Sequence, residues 1–190
     1  MNKFIPALAL LLVACSPPVA EPPLAGARIG GPFALTDQNG QTITERSFPG
    51  QYRLMYFGFT FCPDICPTDV ANLARGLKAF RQEHPEKASK VRMIFVTVDP
   101  TRDTPAQLKA FTAQFLPDMV GLTGDAKAIE AMTRAYGVAV SLPPGQPKES
   151  YILDHSRAAY LMDADNKPIA LISHDDTADV IAAELAQWVS

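Results

Sequence analysis

Apolar positions along this chain follow two rhythms, one of strands and one of helices. Residues 33–36 and 41–44 flank Asn39-Gly40, a strong signal for a hairpin turn. Residues 53–59 form an apolar and aromatic run, which predicts a buried strand. Val70, Leu73, Ala74, Leu77 and Phe80 then recur with the spacing of an amphipathic helix over 70–80. A second buried strand is expected over 91–98, β-branched and bounded by Asp99-Pro100. Thr104-Pro105-Ala106-Gln107 starts the next helix, with Thr as N-cap, Pro at the first helical position and Gln completing a capping box. Leu108, Phe111, Phe115 and Leu116 give that helix its buried face. A short strand is expected at 120–122, and a helix over 125–136 that Gly137 ends. Past a loop with Pro143, Pro144, Gly145 and Pro147, strands are expected at 151–153, 159–162 and 168–172, with Asp165-Asn166 as the last turn. A helix over 177–189 closes the chain.

Strands alternating with helices, followed by a hairpin and a helix, indicate an α/β sandwich. The segment 53–98 reads as a βαβ unit, so its strands should be parallel neighbours joined by a right-handed crossover. Cys62, Cys66 and Asp99 then all follow strand C-terminal ends. That places them on one edge of the sheet, where open α/β folds keep ligand sites.

The first fourteen residues read as an address. Lys3 supplies a positive start, and residues 4–14 are apolar but too few to span a bilayer of roughly 30 Å. Leu12-Val13-Ala14-Cys15 resembles the bacterial lipobox, which makes Cys15 the expected acylated first residue of the mature chain. The expected organisation is a signal peptide over 1–14, an acylated Cys15 with a flexible tether over 15–31, and a folded domain over 32–190. The domain would then sit outside the cytoplasm, on the periplasmic side in a Gram-negative cell, where glutathione does not keep thiols reduced. Seventeen Lys and Arg against twenty Asp and Glu, with no basic arm or face, argue against a nucleic-acid partner.

With Cys15 explained, two of the three cysteines remain, Cys62 and Cys66 in Cys62-Pro63-Asp64-Ile65-Cys66. Each precedes a proline, which disfavours helical backbone there. Pro67 suits the first helical position, so Cys66 is expected near the helix N-cap with its thiolate favoured by the positive helix end. The pair can be a structural disulfide, a redox dithiol or part of a metal site. A metal site needs a third ligand, and the chain has three histidines. His84 reads as solvated, and His174 as surface before the last helix. His155 follows a strand among small and polar residues, either as a ligand or as part of a surface loop. Two thiolates with one imidazole suit Cu(I), and hold Cu(II) if a further ligand enters. A closed zinc site usually takes four ligands, and the chain lacks a fourth Cys.

Three blocks resemble the Sco/SenC copper chaperones. They are Gly58-Phe59-Thr60-Phe61-Cys62-Pro63-Asp64-Ile65-Cys66-Pro67, then Asp99-Pro100-Thr101-Arg102-Asp103-Thr104-Pro105, then Asp154-His155-Ser156 with Tyr160-Leu161. The resemblance runs over about residues 30–190. It implies a thioredoxin-like domain: a central mixed sheet with an N-terminal hairpin and flanking helices. It also implies copper, as Cu(I) or Cu(II), held by Cys62, Cys66 and His155. The implied client is the copper-accepting subunit of cytochrome c oxidase, with its dinuclear copper centre. The alternative is a thiol–disulfide oxidoreductase that keeps the accepting cysteines reduced, working with another periplasmic copper chaperone or a thiol reductant. His155 separates the two, because dithiol exchange needs no imidazole. Asp99, Arg102, Asp103 and Asp154 are expected beside the site, supporting it or docking the client. A lipid-bearing Cys15 in place of the transmembrane helix common in the family is the main departure.

Overall fold

The computed structural model describes residues 20–147 and 150–190. The expected signal peptide and Cys15 lie outside the described residues. No helix among those residues is long and apolar enough to cross a membrane.

The hairpin forms as expected, from β1 (Ala34–Asp37) and β2 (Thr42–Thr44). The two apolar runs become β3 (Tyr52–Gly58) and β4 (Val91–Thr97), paired in parallel from Tyr52 opposite Val91 to Gly58 opposite Thr97. Both are buried along nearly their whole length, which explains why they read as continuous apolar runs rather than alternating ones. α1 (Ile65–Glu83) makes the crossover between them. α2 (Pro105–Thr112) starts on Thr104, whose side chain accepts from the Gln107 amide. β5 (Val120–Thr123) and α3 (Ala126–Ala135) follow. The chain ends with β6 (Val140–Ser141), β7 (Asp154–His155), β8 (Ala159–Met162), β9 (Pro168–Leu171) and α4 (Ala178–Trp188).

Seven strands form one mixed sheet in the order β2-β1-β5-β4-β3-β8-β9. β3, β4 and β5 run parallel at its centre, and antiparallel strands flank them. α1 and α4 pack so closely that a Cβ added at Gly76 would lie 2.3 Å from Ile181 Cγ2.

Four expectations change. Residues 151–153 are not a strand; the strand is the next pair, β7, held against β6 in a ribbon separate from the main sheet. Backbone pairing with Val140 and Ser141 decides this, not the apolar character of 151–153. α1 starts before Cys66, so that residue is helical and Asp64 is the N-cap. α2 ends at Thr112, and Leu116 reaches the core from the turn beyond it. Residues 20–31, expected within the tether, lie along the domain. The Leu24 N–H donates to Ile169 O at 2.9 Å, the Gly30 N–H donates to Ala135 O at 2.9 Å, and Asn166 Nδ2 donates to Gly31 O at 3.0 Å.

These attachments fall at one end of the sheet. β8 runs antiparallel to β3 with Met162 opposite Arg53, so the turn between β8 and β9 sits at the start of β3. The cysteines follow the other end of β3.

Candidate metal and redox centre

Gly58 ends β3 and makes room for Cys66. A Cβ there would meet Tyr56 Cε1 at 2.9 Å, Cys66 Sγ at 3.1 Å and Phe95 Cε2 at 3.2 Å. Cys66 packs into this space and is fully buried. Cys62 stays half-buried in the connecting loop, and its Sγ accepts the Cys66 N–H at 3.4 Å. Asp64 makes no side-chain capping bond, so the sulfur of Cys62 meets an amide of the first helical turn. This reverses the expected roles: the helix end acts on Cys62, while Cys66 sits in the core. Burial pushes the Cys66 thiol up to about 12, against the sequence expectation of a favoured thiolate. Both cysteines are free thiols.

His155 comes from the β6–β7 ribbon. Its Nε2 lies 3.4 Å from Cys66 Sγ, and its Nδ1 lies 3.0 Å from Ser156 O. A carbonyl only accepts, so Nδ1 carries the proton and the Nε2 lone pair faces the sulfur. Burial lowers the His155 pKa and keeps the ring neutral. The Phe59 ring meets it edge-on, with centroids 5.8 Å apart. Two thiols and a neutral imidazole are a donor set that fits a soft cation. Among the described residues, the only three His, Cys, Asp or Glu donors all within 4.8 Å of one another are those of Asp69, His174 and Asp175. Cys62 therefore has to leave the Cys66 amide and turn inward to complete a three-ligand site.

The acidic block braces the cysteine loop. Asp103 is buried and accepts from the Thr60 N–H at 3.0 Å, Thr60 Oγ1 at 2.6 Å and Thr97 Oγ1 at 2.6 Å. Desolvation raises its pKa despite these donors. Asp99 accepts from Arg102 Nε and, at 2.7 Å, from the Tyr151 hydroxyl. The Arg102 guanidinium lies 3.6 Å from the Tyr151 ring centroid and 5.0 Å from that of Phe61, beside Cys62. Asp99, Arg102 and Asp103 thus act on the loop rather than on a sulfur. Asp154 is exposed, and among the described residues its carboxylate has no hydrogen-bond partner. Phe61 and Ile65 flank the cysteines with 44% and 47% of their surface exposed. A groove of about 550 Å³, lined by Asp99, Tyr151, Val140 and Leu142 among others, runs beside the ribbon.

Sequence reading missed a second layer. Asp69, one turn after Cys66 on α1, is buried and accepts from the Tyr56 hydroxyl at 2.7 Å. Arg157 grips both its oxygens, at 2.9 and 2.6 Å. His174 is not the expected surface residue: its side chain is 12% exposed, and Nδ1 lies 3.5 Å from Asp69 Oδ1. The position of Arg157, two residues after His155, was the one available signal.

The chain has relatives of known family over most of its length. The sequence profile described as SCO1/SenC matches residues 21–190. The mitochondrial protein SCO1 homolog 1 of Arabidopsis thaliana is 34% identical over 175 residues, 90% of this chain and 51% of that protein. The chain spans about half the length of the curated relatives it matches. Bradyrhizobium japonicum ScoI, solved with copper bound, is 39% identical with a TM-score of 0.75, covering 84% of this chain and 99% of that one. BsSco, reported for a disulfide switch and as a member of the Sco family of cytochrome c oxidase assembly proteins, is 25% identical with a TM-score of 0.65 over 89% of this chain and 96% of that one.

Proposed function

The chain belongs to the SCO1/SenC family, and from that premise we propose that it binds copper through Cys62, Cys66 and His155 and delivers it to the copper-accepting subunit of cytochrome c oxidase. The observation that carries the reading is the His155 ring, with Nδ1 committed to a backbone carbonyl and Nε2 free toward Cys66 Sγ. Dithiol exchange has no use for that lone pair. Copper displaces the Cys66 proton and draws in Cys62, which is the more accessible sulfur and the natural point of transfer to a client thiol. The exposed Phe61 and Ile65 offer the client an apolar rim around that sulfur. Anchoring belongs to the same proposal: an acylated Cys15 holds the domain at the outer face of a membrane.

Copper titration of three forms tests the reading. Reduced protein should take up one Cu(I), oxidised protein far less, and His155→Ala should bind more weakly with its copper-free dithiol potential nearly unchanged. Equal uptake by the oxidised and reduced forms would overturn it. Mass spectrometry of the mature N-terminus tests the anchor, and an unmodified terminus at another residue would remove it.

A second reading has its own support. Cys62 and Cys66 are free thiols four residues apart, and Cys62 is accessible, as a thiol–disulfide reductase for the client's cysteines requires. Full activity toward a client disulfide in His155→Ala, without copper, would favour it.

A further inference from the structure

We infer that Arg157, through its paired hydrogen bonds to buried Asp69, is the positioning residue that holds His155 against Cys66. The inference rests on the copper-site reading above, because it concerns what sets the spacing of two of its ligands.

The two ligands come from separate parts of the fold. Cys66 is fixed in α1, under Gly58 and within the core. His155 belongs to a two-stranded ribbon outside the main sheet, and such a ribbon is at best marginally stable alone. Its remaining hydrogen bonds near His155 are internal: the Ser156 N–H to Ala139 O, and the Ala139 N–H to Ser156 Oγ. They fix the ribbon's own shape but not its distance from α1. Arg157 spans that gap. Its Nε and Nη2 donate to Oδ2 and Oδ1 of Asp69, on the turn of α1 that follows Cys66.

The geometry makes this link stiff. A guanidinium meeting a carboxylate with two parallel bonds fixes orientation as well as distance. Asp69 is held in turn by the Tyr56 hydroxyl from β3. His174 Nδ1 lies 3.2 Å from Arg157 Nη2, and Asp175 Oδ1 lies 3.4 Å from it. The carboxylate is therefore anchored from the sheet side, and the arginine from the side of α4. The same fork explains why Asp69, His174 and Asp175, although close together, are an ion-pair cluster: a guanidinium already lies among them.

Arg157→Lys tests the inference, because lysine keeps the charge and loses the fork. Cu(I) affinity, read by competition with a chromophoric chelator, should fall about 10- to 100-fold, the range for groups that orient a metal ligand. In a His155→Ala background the same substitution should change it less than about threefold, since Arg157 acts through His155. In reduced, copper-free protein the His155 ring signals in NMR should shift while those of His84 stay in place. If Arg157→Lys does not fold, the pair Asp69→Asn with Arg157→Gln removes both charges together and strands neither; it should show the same loss and the same shift. Unchanged affinity, or an equal loss without His155, overturns the inference. Should the native protein bind no copper at these residues, the proposed function fails. The ring signals then decide the positioning claim alone, unchanged signals overturning it.

Discussion

Cys66 and Cys62 sit four residues apart and meet opposite environments, because the first turn of α1 points one sulfur into the core and leaves the other at the helix mouth. The folded protein therefore favours the protonated thiol at Cys66, whose pKa rises to about 12 from an unfolded value near 8.5. That contribution to stability is complete below the unfolded value and is lost as pH climbs toward 12, by up to about 1.4 kcal/mol per pH unit. Urea unfolding of reduced, copper-free protein should show its advantage over Cys66→Ala shrinking between pH 9 and 10.5. A constant difference would mean that the buried thiol titrates normally. The three proposed ligands come from the short blocks of distinctive residues that carry the family resemblance; the residues alone left His155 open. Asp69 and Arg157 were not legible in the sequence: they are 88 positions apart, and each alone looks like an ordinary solvated charge. Only burial shows that they belong together.

Local signals set the helices more firmly than the short strands. Thr104, Asp125 and Thr177 each cap a helix with a side-chain oxygen, and all three helices begin within a residue or two of the expected place. β7 was misplaced because a two-residue strand takes its identity from a partner strand thirteen to fifteen positions upstream, which local pattern does not reveal. The loop between β3 and α1 depends on Asp103 in the same non-local way. Asp103→Ala leaves the Thr60 amide without its acceptor, at a cost of about 1–3 kcal/mol. It should also weaken Cu(I) binding, because Cys62 follows Thr60 by two residues; intact affinity alongside lost stability would confine Asp103 to folding. Between α1 and α4 the decisive contact is Gly76. Alanine gains about 1 kcal/mol of helix propensity over glycine, but its Cβ at 2.3 Å from Ile181 overpacks the interface by about 1–3 kcal/mol. Gly76→Ala should be net destabilising in urea, with copper stoichiometry unchanged.

Across the whole molecule, the proposed copper site would link ligand and fold through the reduced state. A ligand that binds only the folded form at 100 times its dissociation constant adds about 2.7 kcal/mol, or roughly 5–10 °C in Tm for a domain of this size. Scanning calorimetry should show that rise for reduced protein with Cu(I) and little change for oxidised protein. The parallel centre of the sheet was legible because a βαβ crossover permits few arrangements; the place of β8 beside β3 was not, since no local signal orders strands so far apart. That order has a consequence for orientation. The chain joins the domain at β9, near the start of β3, and the sulfurs stand past its end, about 20 Å away along seven residues of strand. If Cys15 carries the proposed lipid, that lipid is five residues before Ala20, a reach of at most about 18 Å. Under that proposal the bilayer would lie behind the domain, with the sulfurs facing outward at a standoff comparable to the sheet's own height. An acceptor whose copper site projects from the membrane to that height would then meet them face on, whereas one lying flush with the lipid would meet only the back of the fold.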